Sequence, residues 1–118
     1  MHEVNPAVVQ AHVAKVTTLA QQHPFLATEL EGICAALDEA VALGVPPVGQ
    51  PVTHEHGRLE ISRVTFQGMA CIVVEWPDEL RYSPDIEDLV TVLERDGVSF
   101  EHAEVTRGSL ILIGLWGE

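Results

Sequence analysis

Two short stretches, Ala70-Cys71-Ile72-Val73-Val74 and Leu110-Ile111-Leu112-Ile113, are apolar at every position. A strand with one wet face alternates, because successive side chains point to opposite sides of the sheet. Neither stretch alternates, so both read as central strands covered on both faces. The rest of the chain is placed around this pair.

Each stretch belongs to a hairpin. Arg58 to Phe66 and Met69 to Trp76 flank Gln67-Gly68, a two-residue connection suited to a turn with positive φ at Gly68. The first of these strands changes phase, since Leu59 and Ile61 are odd positions whereas Val64 and Phe66 are even. A bulge near Ser62-Arg63 would reconcile the two halves. Val98 to Thr106 and Ser109 to Trp116 form the second hairpin, around Arg107-Gly108.

Helices fill the remaining segments. Between the hairpins, Ser83-Pro84 is a cap followed by proline at the first helical position. Asp85, Glu87 and Asp88 stand where the helix dipole favours negative charge. Ile86, Leu89, Val90 and Leu93 make the apolar face, with Arg95 in the last turn and Gly97 after it. Upstream, Asn5-Pro6 repeats the start, and Val9, Val13, Val16 and Ala20 form one stripe that includes His12. Pro24 opens a second helix whose apolar face is Leu26, Leu30, Ile33, Leu37 and Val41, stopped by Gly44. Val45 to Gly57 is rich in proline and glycine and reads as a loop crossing from helices to sheet.

The predicted fold is α+β over residues 1–118 as a single domain. Two N-terminal helices precede a β-hairpin, a helix and a second β-hairpin (ααββαββ). The sheet is expected to be four-stranded and antiparallel, in the order 1-2-4-3, with the helices on one face. The other face then needs cover, and a second subunit related by a two-fold axis is the expected source.

Composition bounds function more firmly than any motif does. Eighteen carboxylates against six lysines and arginines give a net charge of −12. Nucleic acid is excluded as a partner, because its affinity rests on neutralising phosphates, and anionic membranes are disfavoured for the same reason. A basic protein partner fits the charge. The longest apolar runs are about six residues, far short of a membrane span. The start, Met1-His2-Glu3, has no basic region followed by an apolar one, so no secretory signal is expected. Cys34 and Cys71 each behave as small hydrophobes, consistent with reduced thiols and a cytoplasmic location.

His54-Glu55-His56 is the one local cluster of ligand-type residues. In an extended segment its imidazoles project to the same side, which suits a divalent metal, although two ligands do not make a site. His102, between Glu101 and Glu104, completes the cluster only if the second hairpin lies nearby. His12 is a pocket candidate, as is the polar loop of Glu75, Trp76, Arg81 and Tyr82. No nucleophile elbow and no glycine-rich phosphate loop occurs. No catalytic residue and no cofactor is assigned.

In size, acidity and a paired sheet the chain resembles, without a shared motif, small homodimeric secretion-chaperone-like proteins. Those folds carry one more strand before the middle helix and a closing helix. The expectation is a non-enzymatic acidic interaction module acting as a homodimer, an accessory or chaperone-like protein. The alternative is a small-molecule- or metal-binding domain, or a small enzyme, with a histidine-lined pocket.

Overall fold

The computed structural model describes residues 3–80, 82–95, 100–105 and 108–117. Helix α1 (Pro6–Gln22) starts as its sequence requires, with the Asn5 side chain accepting from the Ala7 N–H and proline at the first turn. A short 3-10 turn (Pro24–Leu26) leads into α2 (Ala27–Leu43), which ends at Gly44 with φ +75°. Helix α3 (Pro84–Glu94) is capped by Ser83, whose hydroxyl accepts from the Asp85 N–H. The strands are β1 (Val52–His56), β2 (Leu59–Phe66), β3 (Met69–Pro77), β4 (Phe100–Val105) and β5 (Gly108–Gly114). The turn between β2 and β3 has positive φ at both Gln67 and Gly68, the geometry of a tight hairpin.

Three sequence expectations are corrected. The sheet has five strands, not four, in the order β1-β2-β3-β5-β4; the four expected strands, β2, β3, β4 and β5, keep their expected order 1-2-4-3 among themselves, and the extra one is added at the β2 edge. The added strand is β1, from the second half of the segment read as a loop. Its prolines precede Val52, and Gly57, at φ +60°, turns it into a hairpin with β2. Second, β2 has no bulge: its register with β3 runs unbroken from Glu60↔Glu75 to Phe66↔Met69. The change of phase arises because a cation, Arg63, takes the core-facing position while Val64 and Phe66 take the other face. Third, Val41 is 40 % exposed, so the buried stripe of α2 stops at Ala40. Val98, Ser99, Thr106, Arg107 and the helix stop at Gly97 lie outside the described residues.

The central pairing is that of β3 with β5, in the register Ile72↔Ile113, Val73↔Leu112 and Val74↔Ile111. Ala70, Ile72, Val74, Trp76, Ile111 and Ile113 face the helices, and Leu59 and Ile61 extend that surface onto β2. Val9, Val16, Leu19, Leu30, Ile33, Leu37, Leu89 and Leu93 close over them from the helices. One apolar core therefore lies between the sheet and a single helical layer.

The alternate residues point the other way. Val64, Met69, Val73, Leu110 and Leu112 are half-buried and belong neither to the core nor to its partly buried fringe. Cys71, on the same face, is buried among its neighbours. The described helices pack on the other face, although Cys71 and its register partner Gly114 are both buried here. The two apolar stretches thus lack alternation although the helices cover only one of their sides. No described helix is long and apolar enough to cross a membrane.

Candidate functional site

The histidines do not gather. His12 lies buried on α1, its Nε2 3.1 Å from the carbonyl oxygen of Gly114 at the end of β5. Burial pushes its pKa below the ordinary histidine value, the Gly114 hydrogen bond opposes that shift, and Lys15 adds to it. It ties α1 to the sheet. His54 and His56 share one side of β1, with ring centroids 6.4 Å apart. That side faces the helical layer, where His56 packs so closely on α2 that a Cβ at Gly32 would collide with it. Among the described residues no group of three or more His, Cys, Asp or Glu is arranged to hold a metal ion.

The polar-loop candidates also separate. Glu75 and Trp76 are consecutive on β3 and therefore face opposite ways, Glu75 exposed on the bare face and Trp76 buried towards the core. Both line a cleft of about 350 Å³ with Glu55, Arg58 and Glu60, and that cleft contains no histidine. Tyr82 is 81 % exposed. Arg81 and the side chain of His102 lie outside the described residues.

Three polar contacts that spacing does not reveal hold the frame. Arg63, buried in β2, donates to the carbonyl oxygens of Gly44 at 3.0 Å and Glu39 at 3.4 Å, placing a cation on the negative end of the α2 dipole. Arg58 pairs with the buried Glu29 at 2.8 Å and lies 5.0 Å from the Phe25 ring centre, locking the β1–β2 turn to the start of α2. His23, at the end of α1, stands between Asp85 and Asp88 of α3, with Nε2 3.0 Å from Asp88 Oδ2. The acidic first turn of α3 thus has a partner as well as a dipole. All three join residues remote in sequence, so no local pattern announces them.

What the fold brings together is the bare face. The registers Glu55↔Glu60 and Glu60↔Glu75 set three glutamates side by side across β1, β2 and β3 at one end of it. Next along come Thr53 and Ser62, whose hydroxyls are 2.7 Å apart, in one row with Val73 and Leu112. Then come Val64 and Cys71, and last Phe66 and Met69 at the β2–β3 turn. Like charges directly opposite on a sheet repel, and their local cost is met here at the surface. Among the described residues the face is therefore acidic at one end, polar at Thr53 and Ser62, and apolar at Val64, Phe66, Met69, Val73, Leu110 and Leu112.

No family model matches the chain, and no curated protein or solved structure matches it.

Proposed function

We propose that the protein is a non-enzymatic interaction module, accessory or chaperone-like, that works as a homodimer paired through the bare face of its sheet. The single observation that supports this reading is the half-buried set Val64, Met69, Val73, Leu110 and Leu112, with Phe66 40 % exposed, standing outside the core on one continuous face. Completing the burial of such side chains contributes on the order of 1 kcal/mol each. A two-fold pairing does so with one repeated patch. The net charge of −12 favours a basic protein as the dimer's partner and disfavours nucleic acid. Sedimentation equilibrium at micromolar concentration tests the pairing. The expected mass is twice the 12.9 kDa of the chain, and a mass of 12.9 kDa at every concentration contradicts it.

A further inference from the structure

The sheet ends at β1, and two of its residues turn their backbone outward. In a two-residue hairpin the residues flanking the turn exchange both backbone hydrogen bonds, so His56 and Leu59 bond to each other around Gly57 and Arg58. Bonding alternates along an antiparallel ladder, so His54 and Val52 also turn their N–H and C=O towards β2. Thr53 and Glu55 are the intervening positions, where facing side chains stand closer, and the 2.7 Å between the Thr53 and Ser62 hydroxyls fits that placement. The N–H and C=O of Thr53 and Glu55 therefore face away from the sheet. Among the described residues β1 stands last in the strand order, and no backbone group bonds to these two from outside.

Edge strands are usually blunted by proline, lysine or a bulge. β1 has none of these, and all its residues pair with β2 in unbroken register. It carries instead Glu55, the outermost of the three glutamates set side by side with Glu60 and Glu75. Arg58, the cation that lines the same cleft, is engaged by Glu29. Resting on the reading of a basic protein partner, we infer that this partner is held as an extended segment added to the sheet beside β1, with a lysine or arginine opposite Glu55. Antiparallel addition is the sense of every pair in the sheet. Segment residues opposite Thr53 and Glu55 then exchange backbone bonds with them and share their side of the sheet, so a cation there completes the glutamate row with opposite charge. A second copy fits this edge less well. A two-fold axis at Glu55 sets that residue against itself, and one at Thr53 brings Glu55 opposite Pro51, which has no N–H to donate. An axis at His54 sets Glu55 opposite Thr53 yet joins two chains of net charge −12.

The probe is a short acetylated and amidated peptide of alternating threonine and lysine, titrated into the protein by calorimetry. Saturable binding is expected. Exposed charge pairs are individually weak, so exchanging the lysines for glutamine should weaken it about tenfold, and high salt should remove that difference. Methylating the peptide nitrogens of the lysines removes the donors that face β1 and should abolish binding. Methylating those of the threonines, which face water, should not. On the protein side, Thr53→Pro deletes one outward N–H while sparing the β1–β2 ladder, and it too should abolish binding with the circular dichroism spectrum unchanged. Equal loss from the two methylated peptides, or wild-type binding by Thr53→Pro, overturns the edge while leaving a basic partner in place. Equal affinity for a peptide with glutamate in place of lysine overturns the basic partner as well, and the absence of saturable binding to wild type overturns the inference outright. A wild-type dimer that Thr53→Pro alone converts to monomer gives the edge to a second copy and also overturns it.

Discussion

At the scale of single residues, the informative positions are polar side chains in apolar company. Arg63 occupies what alternation reserves for a hydrophobe, and its two bonds to helix-end carbonyls explain why a cation is stable there. Charged donors to buried acceptors are worth about 1.5–3 kcal/mol, so Arg63→Ala is expected to lower urea-unfolding stability by roughly 2–3 kcal/mol. A loss below half a unit on that scale would show that the contact does not hold α2 to the sheet. His12 gives a pH dependence whose sign follows from burial. Its folded pKa lies below the ordinary 6.5, so on acidification the unfolded chain takes up a proton that the native chain resists. Its contribution is complete above 6.5 and is lost as pH falls through that value towards the depressed one. Stability should therefore fall less steeply between about pH 7 and pH 5 in His12→Asn than in wild type. Parallel curves for the two proteins would contradict this.

At the scale of elements, the sequence was legible wherever a local rule sufficed. Asn5-Pro6, Ser83-Pro84, Gly44 and the Gln67-Gly68 turn place helix starts, a helix stop and a hairpin, and all stand where those rules put them. β1 was not legible. Val52 to His56 is a mostly exposed edge strand with no apolar alternation, held by a hairpin with β2 that no apolar pattern marks and by the long-range contact of His56 against Gly32. The same reason hid the bare face. Lack of alternation reports apolar side chains on both sides of a strand, and it says nothing of what covers each side. The candidate histidines were visible as residue types, but their separation depends on which face of β1 and which helix carries them. The close approach at Gly32 yields a test. Gly32→Ala overpacks the contact and should cost about 1–3 kcal/mol. His56→Ala in the same chain should restore most of that loss in thermal unfolding. Additive effects of the two substitutions would mean that β1 does not rest on α2 there.

At the scale of the whole molecule, charge and shape act against each other. A net charge of −12 opposes compaction and association alike. Screening shortens the Debye length from about 10 Å at 0.1 M salt to about 3 Å at 1 M, so sodium chloride should raise the melting temperature and favour the dimer. A melting temperature that falls steadily with salt would contradict that balance. Apolar burial is the force that overcomes the repulsion, and the sheet face concentrates what remains to be buried at Val64, Val73, Leu110 and Leu112. The most direct measurement is sedimentation equilibrium of Val64→Glu beside wild type, with circular dichroism and thermal unfolding to establish that both are folded. Val64 lies outside the core, so the folded chain is expected to survive the change. The predicted result is a wild-type dimer and a folded Val64→Glu monomer of 12.9 kDa. A folded Val64→Glu variant that dimerises with wild-type affinity would contradict the assignment of the bare face as the interface.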